Sequence, residues 1–214
     1  IWSRLVGSEM CIRDRSLKFG QLDYRANCLL AIDTSTAHCA VAIFLNGKVF
    51  TSVKEMKKGQ AELLFEVIED ALKQAKIEKT RIELIVVGIG PGNFTGIRIG
   101  LAAAKGLSLS LKVPISGVNS FQASLYGQND YEIAAIPARQ NLYYLGTING
   151  DFKTKLTTDG PVPKSFANRP KGKEFIKNMA IFGADLKFSL SNPAPLYMKP
   201  ADAQPHTDKI SIIK

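Results

Sequence analysis

Residues 88–106, GIGPGNFTGIRIGLAAAKG, contain six glycines and include the point where a predicted strand ends and a predicted helix begins. The apolar run that leads into them, IELIVVGI, is typical of a β-strand buried on both faces. The residues that follow predict a helix over about 95–111, which ends before Pro114. Free N–H groups at the start of such a helix attract anions, and Asn93 or Thr95 is suited to cap it. The stretch matches neither GxxxxGK[ST] nor GxGxxG, so a phosphate-binding turn and a turn required only by packing both stay open.

In the predicted helix over 95–111, small or apolar side chains occupy nearly every face. From residue 97 onward its only charges are Arg98 and Lys105, and Gly100 and Gly106 stand inside it. Glycine inside a helix costs roughly 0.5–1 kcal/mol relative to alanine, and close approach of a neighbouring helix would compensate. Because a helix without a polar face must be covered on more than one side, either the chain covers it twice or a second protein does.

Elsewhere, strand and helix patterns alternate, which predicts an α/β architecture. The runs LLAI, AVAIFL and KVFTSV predict strands, the last two joined by a hairpin at Asn46 and Gly47. Apolar residues at helical spacing predict a first helix over about 61–77. Further on, VNSFQASLYG predicts a short helix, EIAAIPA with NLYYLGTING a strand pair, residues 151–175 a loop or weak structure, and EFIKNMAIFGADL a short helix and a strand.

The composition is that of a globular chain with a basic surface. Of the 214 residues, 45% are hydrophobic and 22% charged, and the formal net charge is +9. No run approaches the roughly 18–20 apolar residues of a membrane-spanning helix. Cys11, Cys28 and Cys39 have neither metal nor disulfide spacing, which favours a reducing, cytoplasmic location. The charge indicates either an anionic partner such as RNA or simply a basic surface.

The first residues differ in character from the rest. Residues 3–15, SRLVGSEMCIRDR, resemble the translation of a sequencing adapter and lack the apolar core of a signal peptide. We therefore expect residues 1–27 to be a non-native or disordered leader and leave them out of the fold prediction.

The segment AIDTST holds the strongest candidate for chemistry. Asp33 ends a buried strand, and Thr34 and Ser35 follow it. A loop of this kind can hold a metal-bound phosphate through the carboxylate and backbone N–H groups. The alternative, which these residues alone favour, is an aspartate and a threonine that cap a tight turn.

Residue types typical of many active sites are scarce. The two histidines, His38 and His206, stand in unrelated contexts, and no HxxxH, HExxH or CxxC pattern occurs, which argues against a histidine-based metal centre. His38 is more typical of a turn or strand residue than of a catalyst. Arg139 and Tyr143, in PARQNLYY, fit a ligand-facing role and a sheet-edge role equally well.

Five segments in order resemble the TsaB (YeaZ) family: LLAIDTSTAHCAVAI, GQAELLFEVIEDAL, GIGPGNFTGIRIGLAAAKGL, IPARQNLYYLG and PLYMKPADAQP. The resemblance covers about residues 28–205. It implies the actin-like ATPase, sugar-kinase and heat-shock ATPase fold, with two lobes of mixed sheet and flanking helices. It implies an N-terminal lobe over 28–115, a reduced C-terminal lobe over 116–205 and a tail over 206–214.

The same resemblance implies a function without catalysis by this chain. TsaB proteins are non-catalytic paralogues of TsaD, and the two act with the ATPase TsaE to place threonylcarbamoyl on the adenosine next to the anticodon of ANN-decoding tRNAs. A TsaB homodimer can use a surface overlapping the TsaD contact. The chain itself then requires no cofactor or metal, ATP or ADP and a metal belong to TsaD or to the junction, and tRNA is met through the complex, away from membranes.

The resemblance and the helix pattern together yield two sets of candidate site residues. The expected partner interface lies on the two helices 61–77 and 95–111 and comprises Phe65, Ile68, Leu72, Ile97, Leu101, Ala104 and Ser108. The candidate nucleotide- or phosphate-binding set comprises Asp33, Thr34, Ser35, Gly90, Gly92 and Asn93. Many relatives have His-Ser where this chain has Gly59 and Gln60, and Asp where it has Pro137, so neither segment is taken as a ligand site.

Three hypotheses of function follow. The leading one is a scaffold subunit that binds and activates TsaD, and Leu101→Glu or Ala104→Glu is expected to break that binding. The second is an autonomous small-molecule kinase or ATPase of the same fold, which Asp33 and the glycine turn would serve. The third, a metalloprotease, is opposed by the missing histidines.

Overall fold

The computed structural model describes residues 26–138, 142–149, 152–157, 165–185 and 192–198. Arg139, His206, the tail over 206–214 and all but the last two residues of the predicted leader lie outside these ranges. The elements in chain order are β1 Cys28–Asp33, β2 His38–Leu45, β3 Lys48–Glu55, α1 Gln60–Ala75, β4 Leu84–Gly88, α2 Phe94–Leu111, β5 Ile115–Val118, α3 Ser120–Leu125, β6 Ile133–Pro137, β7 Leu142–Thr147, β8 Phe152–Thr157, β9 Ala167–Asn168 and α4 Gly172–Asp185.

The first sheet has the strand order β3-β2-β1-β4-β5. Strand β1 pairs in parallel with β4 and antiparallel with β2, and every residue of β1 and β4 is buried. The predicted hairpin is confirmed: β2 and β3 are joined by Asn46 and Gly47, whose φ angles of 48° and 82° are both positive, as a two-residue type I′ turn requires.

Helices cover both faces of this sheet because its strand residues alternate in direction. Helices α1 and α2 pack on one face, where Leu30 and Ile32 of β1 point. Helix α4 packs on the other, against Leu29 and Ala31. The apolar run LLAI is therefore covered on both sides, as the sequence predicted.

The second sheet has the order β8-β7-β6-β9, with α3 packed against it. Of the two alternatives for residues 151–175, a loop or weak structure, the plain loop is wrong, since this stretch contains β8, β9 and the start of α4. The segment predicted as a short helix and a strand is one helix, α4, to residue 185. The sequence did not reveal β8 and β9 because both are short and lie in a polar, proline-containing stretch.

The two sheets do not divide the chain into two consecutive lobes. Strand β5 crosses the predicted boundary after residue 115, and α4 returns from the second half to pack on the first sheet. Together these elements place the ends of β1 and β4, the start of α2 and the segment before α4 next to one another. No helix in the described part of the chain is both long and apolar enough to cross a membrane.

Candidate functional site

The glycine turn between β4 and α2 is packed tightly against the loop between β1 and β2. The Thr34 hydroxyl donates to the carbonyl of Gly96 at 2.7 Å, and the backbone N–H of Asn93 donates to the carbonyl of Ser35 at 2.7 Å. A Cβ at Gly96 would collide with the Thr34 carbonyl, and one at Gly92 with that of Ser35. The glycines are therefore explained by close backbone approach.

The start of α2 is capped by the chain itself. The Asn93 side chain accepts from the N–H of Gly96 at 3.1 Å, so of the two residues predicted as caps it is Asn93 that serves. The turn before the helix contains a cis peptide bond between Gly90 and Pro91, and Gly90 has a φ angle of 93°. At least one of the N–H groups that could bind an anion at the start of α2, that of Gly96, is thus already hydrogen-bonded within the chain.

Asp33 lies at the centre of a buried ion-pair network. Its Oδ2 accepts from Arg169 Nη2 at 2.8 Å and lies 2.9 Å from His38 Nε2, and none of its side chain is exposed. Burial alone would raise the pKa of Asp33, but the charge of Arg169 and the hydrogen bond from His38 outweigh it and lower the pKa to about 2. Asp33 is therefore ionised and held by Arg169 and His38 of its own chain.

Arg169, from the segment before α4, closes this network. Its Nη1 donates to Ser120 Oγ at 3.1 Å, its Nη2 also donates to Ser35 Oγ at 3.1 Å, and its guanidinium stacks on the Phe175 ring at 3.6 Å. We call Asp33, His38 and Arg169, with Ser35 and Ser120, the Asp33 cluster.

The residues predicted to bind a nucleotide or phosphate do lie together and make hydrogen bonds within the chain, and phosphate binding by them stays a prediction. Asp33 has no surface to offer a metal ion, and Thr34, Ser35 and Asn93 are bonded within the two loops. The alternative was an aspartate and a threonine that cap a tight turn: Asp33 Oδ1 does accept from the Ser35 N–H at 3.3 Å, whereas the Thr34 hydroxyl donates to Gly96 on α2. Glycines 90 and 92 shape the turn. In the described ranges, no group of three or more His, Cys, Asp or Glu side chains is arranged to hold a metal ion.

Sequence reasoning missed Arg169, which is 136 residues from Asp33. It lies in a stretch expected to be a loop, and no local pattern marks it. His38 begins β2, as its strand or turn interpretation predicted, but its bond to Asp33 was not foreseen. Gln60, which was not taken as a ligand site, is buried and donates to the Thr36 carbonyl at 2.7 Å. Tyr143 is half-buried on β7.

An apolar surface lies open on the outer side of α1 and α2. A groove of about 570 Å³ runs between the two helices, and Phe65 at its side is 53% exposed. Farther along α2, Leu109 is 80% exposed. The groove is lined by Ala61, Leu64, Phe65, Ile99, Ala102, Ala103, Gly106 and Leu107. We call these residues with Leu109 the α1–α2 face.

The α1–α2 face corrects the predicted partner interface. Ile68, Ile97, Leu101 and Ala104 are 0–5% exposed and point into the chain's own core. Phe65 does face outward, while Leu72 and Ser108 are half-buried and Ser108 donates to the Val113 carbonyl. A helix that is apolar nearly all round does not reveal which side faces its own sheet, and the outward side is the one through residues 99, 102, 106 and 109.

One end of this helix surface carries an exposed aromatic and cationic group. The Arg98 guanidinium stacks on Phe94 at 3.8 Å, and its Nε donates to the Tyr197 hydroxyl at 3.0 Å. Phe94 and Tyr197 are 4.7 Å apart and more than 40% exposed. The tail segment is held there because Leu196 N–H donates to the Ile89 carbonyl at 2.8 Å.

Comparisons with known proteins match this chain to one family. The model of the family described as TsaD, tRNA N6-adenosine threonylcarbamoyltransferase, matches residues 54–169, just over half of the chain. The tRNA threonylcarbamoyladenosine biosynthesis protein TsaB of Buchnera aphidicola is 38% identical over 95 residues, 44% of this chain and 45% of that protein. The TsaB protein of Escherichia coli is 33% identical over 121 residues, 54% of this chain and 52% of that protein. The chain thus spans about half the length of the curated relatives it matches.

Solved structures share the fold. The structure of YeaZ from Pseudomonas aeruginosa superposes with a TM-score of 0.58 at 23% sequence identity, and the match covers 80% of this chain and all of that one. The predicted fold class, two mixed sheets with flanking helices in a TsaD-like arrangement, is confirmed.

Proposed function

Since the chain belongs to the TsaD family, and within it to the TsaB (YeaZ) group, we propose that it is a scaffold subunit in the biosynthesis of threonylcarbamoyladenosine in tRNA. In this role it binds the transferase TsaD and holds it in an active arrangement, and it carries out no chemical step itself.

The observation that carries the proposal is the open α1–α2 face. Large apolar side chains such as Phe65 and Leu109 stay exposed beside a groove of about 570 Å³. A contiguous exposed apolar surface on a globular chain marks an interaction site. Small residues along α2, such as Ala102 and Gly106, let a second helix pair approach closely.

A TsaD protein, as a member of the same family, supplies a partner of matching architecture. Its corresponding helices would lie against α1 and α2 and form a four-helix layer between the two molecules. TsaE and tRNA enter through that complex, and ATP or ADP with any metal belongs to TsaD or to the junction. A second copy of this chain would use the same face in the absence of TsaD.

The Asp33 cluster supports a non-catalytic role over the alternative of an autonomous kinase or ATPase. A carboxylate that binds a metal–nucleotide complex must be reachable, and Asp33 is fully buried against Arg169 and His38. To open that site the chain would have to separate the buried Asp33 carboxylate from the Arg169 guanidinium, which is strongly unfavourable.

Reconstitution tests the proposal. The full chain is mixed with TsaD and TsaE from the same source, and complex formation and threonylcarbamoylation of tRNA are measured with and without it. We expect a complex that contains TsaD, and modification that falls to a small fraction when this chain is omitted. Full activity without the chain would reject the scaffold role, and ATP turnover by the isolated chain that Asp33→Asn abolishes would favour the enzyme alternative.

A further inference from the structure

The second surface of interest is the outer edge of β3, on which no strand is paired within the described residues. The two-residue hairpin turn sets Leu45 opposite Lys48 as the first pair. In an antiparallel ladder the pairs alternate, so Val49, Thr51 and Val53 fall in pairs that are not hydrogen-bonded to β2. Their backbone N–H and C=O groups therefore point to the open edge.

A groove of about 480 Å³ lies between this edge and α4. It is lined by Val49, Thr51, Lys171, Lys173, Glu174 and Lys177. The three lysines are exposed, and a single carboxylate accompanies them. We call this the β3–α4 groove; it joins unpaired backbone groups along one wall to a net positive charge along the other.

The spacing of the lysines suits an extended chain. Lys173 and Lys177 are four residues apart on α4, which separates them by about 6 Å along the helix axis. Alternate residues of a β-strand are separated by roughly 6.6 Å and point to the same side. Two acidic side chains at alternate positions can therefore each meet one of these lysines.

We propose that the β3–α4 groove binds an extended acidic segment of a partner protein, which adds as a strand to β3 and directs alternate carboxylates to the lysines of α4. Backbone hydrogen bonds from Val49 and Thr51 supply the affinity, and the lysines select the charge. An RNA strand fits less well, because the groove lining contains no aromatic side chain on which a base could stack.

This inference goes beyond the scaffold role and does not depend on it. Helix α4 and the pair α1 and α2 lie on opposite faces of the first sheet, so both surfaces can be occupied at once. A partner bound at β3 leaves the α1–α2 face free.

A synthetic peptide tests the proposal with the full chain. The probe is a labelled, capped ten-residue peptide of alternating glutamate and threonine, and binding is followed by fluorescence anisotropy at low salt. We expect the double variant Lys173→Gln and Lys177→Gln to weaken binding about tenfold, from the loss of two exposed charge pairs. Lys79→Gln with Lys112→Gln removes two exposed lysines that precede β4 and β5, away from β3 in the sheet, and serves as the matched control, with no change expected.

Two N-methylated peptides separate strand addition from mere charge attraction. One carries methyl groups on the odd backbone nitrogens and the other on the even ones, so only one set can face β3. We expect one peptide to lose binding and the other to keep it. Equal binding by both, no binding by the parent peptide, or displacement of the peptide by an unstructured RNA of equal charge would each overturn the proposal.

Discussion

The start of α2 and its outer side lie on the same helix and have opposite character. At the start, every polar group of the Asp33 cluster has a partner from its own chain, and Asp33 and Arg169 are almost completely enclosed. On the outer side, the α1–α2 face leaves apolar groups without cover. The place where chemistry could occur is closed, and the place where another molecule could pack is open.

The difference supports the proposed role, in which this chain carries out no chemical step itself. An ionised carboxylate held by Arg169 and hydrogen-bonded to His38 joins β1, β2 and the segment before α4. The same cluster is connected to the glycine turn before α2, because the Ser120 hydroxyl donates to the Pro91 carbonyl. A sealed polar core therefore sets the direction of the helix whose outer side is exposed.

Two neighbouring alanines of α2 provide the sharpest test of this contrast. Ala104 is 0% exposed in the core, whereas Ala102 lies exposed on the α1–α2 face. We expect Ala104→Glu to prevent folding, because burial of an unpaired carboxylate costs several kcal/mol. Ala102→Glu leaves folding intact and weakens TsaD binding by at least about a hundredfold, the effect of a charge in the middle of an apolar contact. Urea denaturation and a pull-down measure the two effects.

The control for this pair is Gln74→Glu, which adds the same charge on the exposed polar side of α1. It should change neither stability nor docking. If Ala104→Glu folded normally and only docking failed, the assignment of helix faces would be reversed. If Ala102→Glu bound TsaD as well as the unchanged chain, docking would have to use another surface.

The next largest effect is expected inside the Asp33 cluster. Arg169→Met removes the guanidinium and leaves Asp33 as a buried charge paired only with His38, so the free energy of unfolding should fall by about 3–5 kcal/mol. Lys171→Met, two residues further on and exposed, should have almost no effect. Adding Asp33→Asn to Arg169→Met should restore part of the loss, because the unpaired charge is then gone. If Arg169→Met were as stable as Lys171→Met, the structural role of the Asp33 cluster would be contradicted.

Most of the first sheet was predictable from the sequence, for reasons visible in particular residues. The run LLAI is apolar on both of its faces, Asn46 and Gly47 accept positive φ, and Asn93 is a typical cap. Each of these signals is local. The second half was harder, because β9 has two residues and β8 lies in a polar stretch, so neither builds a periodic pattern.

Only part of the candidate site could be predicted from the sequence. Asp33, Thr34 and the glycine turn were singled out because their types and spacing are informative within one segment. The partner of Asp33 was not, because Arg169 is brought to it by the path of α4 and no rule of spacing reaches across 136 residues. The exposed apolar surface lies on the predicted helices but on the side of α2 opposite to the predicted interface residues, because amphipathicity orients a helix and this helix has almost none.

The smallest expected effect concerns acid. The folded chain lowers the pKa of Asp33 to about 2 from its ordinary value of 3.8. The ionised carboxylate therefore stabilises the folded chain fully when the pH is above 3.8, and this stabilisation is lost as the pH falls through about 2. The shift corresponds to about 2 kcal/mol. We expect the stability gap between the unchanged chain and Asp33→Asn, measured by urea unfolding, to narrow by about that amount between about pH 5 and pH 2. Acid should affect the α1–α2 face little, since its lining residues carry no titratable group. A gap that stayed constant over that range would mean that Asp33 is not held as an ion pair, and the joining of β1, β2 and the segment before α4 by this carboxylate would lose its basis.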